Sequence, residues 1–291
     1  MRGKIAIVTG ASRGIGKAIA LGYAREGATV VVAARSETAP NERLPGSIHE
    51  TVDQIEALGG RALAVRCDVT DEASVDAMVE TVLSRFGRVD VLVNNAAVDF
   101  PSKVADMPLK RWEVVFRVGL TGPFLCSRAV LPAMISQGGG SIINITSQAG
   151  SERGSGTVGY SAAYAATKAG LDRFTWALAA EVGRHNIAVN AVMPSKVVDT
   201  EGMRMWATED QKRTFVPPDM MVACAIFLAK QDARGVTGTI ATDDEYVVWH
   251  GLDVHATELG SGPTVAPGGP ATAPGGPATA LGGPAAVPGT V

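Results

Sequence analysis

Between Ser147 and Lys168 the chain gathers a hydroxyl, two phenols and an ammonium: Ser147, Tyr160, Tyr164 and Lys168. A hydroxyl can hold a substrate oxygen, and a phenol can give or take a proton. A free phenol titrates near pH 10, too high for such work at neutral pH, but a neighbouring cation favours the phenolate and lowers that value. Tyr164 and Lys168 stand four apart in a run of good helix formers, Ala162, Ala163, Ala165, Ala166, Ala169 and Leu171. On a helix they share one face, so their head groups can meet, as general acid–base catalysis requires. An ordinary solvated helix face has the same spacing, so the elements that position these groups decide between the two. Tyr160 has Tyr164 as its fourth neighbour and no cation. Tyr164 is therefore the acid–base candidate, and Tyr160 is a helix-start or pocket-wall residue.

Ser147 follows Gly140–Thr146, a β-branched run that reads as a strand and delivers Ser147 at its C-terminal end. In a doubly wound sheet ligands bind at that edge. Thr146 is the competing hydroxyl, but strand alternation turns it the other way. The segment Ser151–Gly159 reads as an enlarged loop at the pocket mouth. Near the start, the apolar run Lys4–Thr9 meets Gly10-Ala-Ser-Arg-Gly14-Ile-Gly16, an amphipathic helix to Glu26, and a second strand, Ala28–Ala33. Strand, glycine turn, helix and strand form the context in which backbone N–H groups can approach a pyrophosphate; a tight turn with no ligand is the plainer alternative. Further strands are expected at 61–66, 89–93, 187–192 and from 238. Helices are expected at 48–58, 71–86, 108–135, 160–183 and 217–229. This alternation predicts an α/β fold, a single doubly wound Rossmann-type domain over residues 1–257 with a seven-stranded parallel sheet.

Composition narrows the classes. With 291 residues, 46% of them hydrophobic, the chain can bury one sizeable core. The net charge of −3 and scattered Lys and Arg speak against nucleic-acid binding. Cys67, Cys126 and Cys224 have no paired spacing and read as buried thiols in a reducing compartment. No apolar run is expected to reach membrane-spanning length, and the early strand leaves no room for a signal peptide, so the expectation is cytoplasmic and without a membrane partner. The histidines lack ligand spacing, so no metal is expected. From Glu258 to Val291 Pro-Gly-Gly-Pro-Ala-Thr-Ala recurs with no further charge, which reads as a disordered tail without catalytic role.

Cofactor choice is readable after the second strand. NAD binders place an acid there to bond the ribose 2′-hydroxyl; this chain has Ala34 and then Arg35. Without a carboxylate, and with Arg35 and Arg13 to grip a 2′-phosphate, NADP(H) is preferred over NAD(H); solvated loop arginines are the alternative. Downstream, 201–215 holds Met203, Met205, Trp206 and Phe215 among charges, either a lid over an apolar substrate or ordinary core.

The spacing from Thr9 to Gly16, with Asp68-Val69, Asn94-Asn95-Ala96, Ser147, Tyr164 with Lys168, and Asn190 with Pro194, resembles the short-chain dehydrogenase/reductase family from about Lys4 to about Leu252. The insertion Ser36–Ser47 and its Leu-Pro-Gly-Ser-Ile-His pattern are similar to a branch containing hydroxysteroid-dehydrogenase-like and citronellol/citronellal-type dehydrogenases. The resemblance implies Ser147, Tyr164 and Lys168 as catalytic residues, Ser147 holding the substrate oxygen and Lys168 also bonding the nicotinamide ribose. It implies dinucleotide contacts from Gly10, Ser12, Arg13, Gly14, Ile15 and Gly16, and from Arg35, Asp68, Val69, Asn95 and Ala96. Pro194, Val197 and Thr200 would contact the nicotinamide end, while Tyr160, Met203 and Trp206 would wall the substrate. The reaction implied is hydride transfer between nicotinamide and a ketone, aldehyde or secondary alcohol, in a homodimer or homotetramer paired through helices 108–135 and 160–183. Three departures stand out: Ala97 and Ser195 for glycine, and Gly119 where relatives carry an Asn that supports a water beside the lysine. The last implies a weakened or rerouted proton relay. These departures keep open a non-redox isomerase or elimination enzyme in the same pocket; a cofactor-binding regulatory protein would leave the Ser/Tyr/Lys set without use.

Overall fold

The computed structural model describes residues 1–39, 44–151 and 160–254. Its strands are β1 (Ile5–Thr9), β2 (Thr29–Ala34), β3 (Arg61–Arg66), β4 (Val91–Asn94), β5 (Gly140–Ile145), β6 (Ile187–Met193) and β7 (Ile240–Thr242). They form one parallel sheet in the order β3-β2-β1-β4-β5-β6-β7. The chain winds outward from β1 in one direction and resumes at β4 in the other. That reversal opens a crevice beyond the C-terminal ends of β1 and β4.

Side-chain alternation divides the core into two layers. Ala6 and Val8 of β1 join Ile19, Ala20 and Tyr23 of α1 (Gly14–Arg25), together with Ile48 and Ile55 of α2 (Ile48–Ala57). Ile5 and Ile7 turn the other way, toward Met78 and Val82 of α3 (Glu72–Phe86). Both faces of each central strand are covered, which is why these strands read as continuous apolar runs. The Tyr23 hydroxyl donates to Ala225 O at 2.9 Å, joining α1 to a later helix of the same layer.

After β4, α4 (Leu109–Phe116) passes through a π-helical segment, Arg117–Thr121, into α5 (Gly122–Ser136). Gly119 sits in that segment, and a Cβ there would lie 2.6 Å from Thr167 Cγ2. The missing side chain lets the widened turn rest on α6 (Ala162–Val182), and π-bulges of this kind collect at functional sites. Contrary to the sequence expectation, Leu109–Ser136 is long and apolar enough to cross a membrane. Half of its apolar window is buried inside the fold against the sheet and its neighbouring helices, as in a core helix.

The chain continues through α7 (Glu201–Trp206), α8 (Glu209–Lys212), α9 (Asp219–Ala229) and α10 (Asp243–His250). The expected pocket-mouth loop at 152–159, residues 40–43 of the insertion, and the tail expected beyond 257 lie outside the described residues.

Candidate active site

The glycine turn is built by close approach. A Cβ on Gly16 would lie 2.3 Å from Asn95 Nδ2 and 2.6 Å from Gly10 O, and Gly10 and Gly14 adopt φ of +66° and +58°. Thr9 and Asn95 lock the turn to the end of β4. The Thr9 hydroxyl accepts from Asn95 N (3.1 Å) and Ala96 N (3.2 Å), while Asn95 Nδ2 donates to Thr9 O (2.9 Å) and Gly10 O (3.3 Å). The Asn95 side-chain amide thus ties the end of β4 to the glycine turn. Ser12 is buried, and Ile15 packs on the core.

The turn already holds an anion: the Gly14 N–H donates to Glu201 Oε2 at 2.9 Å. A carboxylate on the first N–H of α1 is what a helix N-terminus recruits, and a dinucleotide pyrophosphate has the same chemistry. The turn therefore fits a nicotinamide dinucleotide. Thr200, the N-cap of α7, packs against Gly14, with its Cγ2 3.3 Å from where a Cβ would be. A cleft of about 350 Å³ lies between α1 and α7, bordered by Lys17, Leu21 and Arg204.

Arg13 does not stand free at the turn. Its guanidinium donates to Pro45 O and Gly46 O, both at 2.9 Å, and so fastens the end of the insertion. Arg35 projects into solvent and lies 3.9 Å from Asp68 Oδ2. Burial pushes the Asp68 carboxyl up, but the Thr70 N–H and hydroxyl, with Arg35 and Arg66, outweigh it and hold the group below the usual carboxylate range. Val69 is buried against Gly122.

At the C-terminal end of β5 the structure brings Ser147, Tyr160, Tyr164 and Lys168 together. Ser147 is buried, its hydroxyl accepting from Ala149 N at 3.2 Å. The Tyr160 and Tyr164 rings stack with centroids 5.1 Å apart. Lys168 Nζ sits 5.5 Å from the Tyr164 ring centroid and donates to Ile145 O at 2.7 Å. Here the structure departs from the expected acidified phenol. Burial first, then the neighbouring Tyr160 and the Asp99 carboxylate, push the Tyr164 phenol well above its ordinary value, and only Ser147 pulls against them. Lys168 is turned to the Ile145 carbonyl rather than to the hydroxyl. Burial in turn lowers the Lys168 ammonium to about 8, with Asp172 acting in the opposite sense. Thr146 is buried and favours the carboxylate of Asp172, which burial raises to about 6.

Three acids that sequence reasoning passed over touch this site. Asp99 bonds the cap of α6, Glu201 bonds the glycine turn, and Asp172 stands behind Lys168. Asp172 had a readable signal, since it lies four residues beyond Lys168 as Lys168 lies four beyond Tyr164. Of the remaining expected residues, Pro194 O and Ser195 O accept from Gln148 Nε2 at 3.3 and 2.9 Å, which ties their loop to the turn after Ser147. Val197 O accepts from Val216 N, joining that loop to the segment before α9. On α7, Met203 is half-buried and Trp206 is 63% exposed, so α7 contributes no buried residue to the core. Among the described residues no group of His, Cys, Asp and Glu has the makings of a metal site.

A family model described as short chain dehydrogenase matches residues 4–211. The chain is 44% identical over 192 residues to a 3-oxoacyl-[acyl-carrier-protein] reductase of Synechocystis sp., covering 66% of this chain and 73% of that one. It is 35% identical over 249 residues to the 7alpha-hydroxysteroid dehydrogenase of Escherichia coli K12, covering 82% and 92%. A solved structure from Beutenbergia cavernae, described as an NAD(P)-dependent gluconate 5-dehydrogenase with NADP bound at low occupancy, aligns with TM-score 0.74 at 33% identity, over 86% of this chain and 98% of its own.

Proposed function

This chain belongs to the short-chain dehydrogenase family and is an NAD(P)-dependent oxidoreductase acting on a small molecule, and from that premise we propose that it is a cytoplasmic carbonyl reductase using NADP(H). The substrate is an apolar ketone or aldehyde, or the corresponding secondary alcohol in reverse. Ser147 holds the substrate oxygen and Tyr164 donates the proton to it. The observation that carries the reading is the meeting of Ser147, Tyr164 and Lys168 at the ligand-binding edge of β5. The nicotinamide dinucleotide supplies the hydride.

Residues of this chain would hold that dinucleotide along the crevice. The N–H groups at Gly14 and Ile15 would meet the pyrophosphate, Asp68 and Val69 the adenine, and Pro194, Val197 and Thr200 the nicotinamide end. Lys168, buried beside Tyr164, would bond the ribose. Support for NADP(H) comes from Ala34 ending β2 without a carboxylate and from the solvent-facing Arg35 beyond it. Met203 and Trp206, neither in the core, support α7 as the apolar wall of the substrate site. Exposed Trp112, Phe124 and Trp176 on α4, α5 and α6 support pairing of subunits through those helices. Residues 1–257 form the catalytic unit, and removing 258–291 leaves turnover intact.

The test is reduction of a panel of ketones and aldehydes, followed at the reduced-nicotinamide absorbance with each cofactor. NADPH should be used in preference to NADH. Tyr164→Phe should abolish turnover while Tyr160→Phe largely spares it. Faster turnover with NADH would overturn the cofactor reading, and survival of Tyr164→Phe the proton donor. Isomer or elimination products without cofactor turnover would replace the reductase by a non-redox enzyme.

A further inference from the structure

Asp99 lies five residues beyond the end of β4, and both of its carboxylate oxygens are used. Oδ1 accepts from the Ser161 hydroxyl and, at 2.8 Å, from Phe100 N. Oδ2 accepts from Ser161 N at 3.1 Å. Ser161 is the N-cap of α6, and its hydroxyl in turn accepts from the backbone N–H of Tyr164 at 3.1 Å. An unbroken set of hydrogen bonds thus runs from the loop beside the glycine turn, across 62 residues of sequence, to the Tyr164 backbone. An N-cap side chain accepts from the first turn of its own helix. Here the cap is itself held from a second element, so the first turn of α6 cannot rotate without breaking bonds to a charged group.

We infer that Asp99 is a positioning residue: its carboxylate fixes Ser161, and through Ser161 it sets where Tyr164 enters the site and keeps a negative charge beside the phenol. The inference rests on the proposed role of Tyr164 as proton donor. The groups facing that phenol are Ser147 from the end of β5, Tyr160 and Lys168 from its own segment, and Asp99 from the end of β4. Asp99 acts on both stacked phenols in the same direction, raising Tyr160 and Tyr164 alike. A second contribution follows from the geometry. The loop that carries Asp99 begins at Asn95 and Ala96, whose N–H groups are bonded to Thr9 at the glycine turn. The proton donor is therefore referenced to the same turn that would seat the dinucleotide. Small displacements of reacting groups are costly, on the order of 100-fold for about 1 Å.

The experiment compares Asp99→Asn, Asp99→Ala and Asp99→Glu in the full chain. Turnover is measured across carbonyl-substrate concentration, and NADPH affinity is measured separately by fluorescence titration without substrate. Asp99→Asn keeps one acceptor for Ser161 and should retain more kcat than Asp99→Ala, while KM for the carbonyl substrate moves little in either. Asp99→Glu, which keeps both acceptor oxygens, should retain the most. In Asp99→Ala kcat should fall on the order of 10- to 100-fold, with NADPH affinity changed less than twofold. A kcat in Asp99→Ala equal to the parent's, or a fall in kcat equalled by a rise in KM, would reduce Asp99 to a structural cap and overturn the inference. Weakened NADPH binding in Asp99→Asn would also overturn it, placing the carboxylate at the cofactor instead. Should Tyr164→Phe stay active, the donor assignment fails on its own, independently of the Asp99 series.

Discussion

Replacing Glu201 by glutamine should tighten dinucleotide binding, because the native carboxylate occupies a backbone donor that a pyrophosphate needs. Its Oε2 takes the Gly14 N–H at 2.9 Å at the start of α1. A dinucleotide on this turn brings phosphate charge to the same N–H groups. Two charges about 5 Å apart at an effective dielectric of about 20 repel by about 3 kcal/mol. Glu201 is half-buried, and solvent and salt reduce that to about 1 kcal/mol. Exchanging a charged acceptor for a neutral amide weakens the bond that must be given up by about 1 kcal/mol more. Together about 2 kcal/mol corresponds to NADPH binding on the order of 10- to 30-fold tighter in Glu201→Gln. The measurement is a calorimetric or fluorescence titration with NADPH, beside one with adenosine, which lacks the pyrophosphate and should bind both proteins alike. Equal or weaker NADPH binding by Glu201→Gln would refute the competition. An equal gain for adenosine would show that α7 gates the cleft sterically and not through charge.

Gly16→Ala places a methyl 2.6 Å from Gly10 O and 2.3 Å from Asn95 Nδ2, so the turn must open. A loss of about 2–3 kcal/mol in stability is expected, and NADPH should no longer raise the melting temperature; an undiminished NADPH-dependent rise would contradict the packing. Gly119→Asn should cost about 1–3 kcal/mol, because its Cβ meets Thr167 Cγ2 at 2.6 Å. Thr167→Ser removes that methyl and keeps the hydroxyl that donates to Ala163 O, so the double variant should melt close to the parent; no recovery would mean that the obstacle lies elsewhere.

The strands, the glycine turn and the helix carrying Tyr164 and Lys168 were legible because each is a local pattern. Apolar runs, glycines at fixed offsets and alanine-rich segments depend little on partners far along the chain. The direction of the phenol's shift was not legible. Spacing places Lys168 on the face of Tyr164, but its ammonium donates to the Ile145 carbonyl and burial dominates the phenol. That Arg13 also fastens Pro45 O and Gly46 O was not legible, because these partners lie 32 and 33 residues away. Glu201 and Asp99 were passed over for the same reason, since their partners lie 187 and 62 residues distant. Gly119 read as the loss of a relay group; its packing against Thr167, on a helix more than forty residues later, gives that glycine a steric reason of its own.

Burial pushes the central groups toward their neutral forms, and this sets the pH range in which the site can work. Lys168 is lowered to about 8 and Asp172 raised to about 6, each moderating the other's shift. Only between those values are ammonium and carboxylate both charged. Below about 6 Lys168 loses its counter-charge, and above about 8 the ammonium is gone from beside Tyr164 and the ribose it would bond. A bell-shaped profile of kcat/KM with limbs near 6 and 8 is expected, belonging to the pair jointly. The same burial has a sign in stability. The folded pKa of Asp172 lies above its unfolded value of 3.8, so the neutral acid's stabilisation is present below that value and is lost as pH rises through about 6. Two units, in which the opposing pull of Lys168 is already included, correspond to a ceiling of about 3 kcal/mol. Asp172→Asn stays neutral and should melt higher than the parent at pH 8, but not at pH 3.5. It should also lose the acidic limb of the profile and shift the alkaline limb downward, because nothing then supports the Lys168 charge. A variant that melts lower at pH 8, or that keeps both limbs in place, would mean that this carboxyl is paired for stability and plays no part in holding the lysine charged.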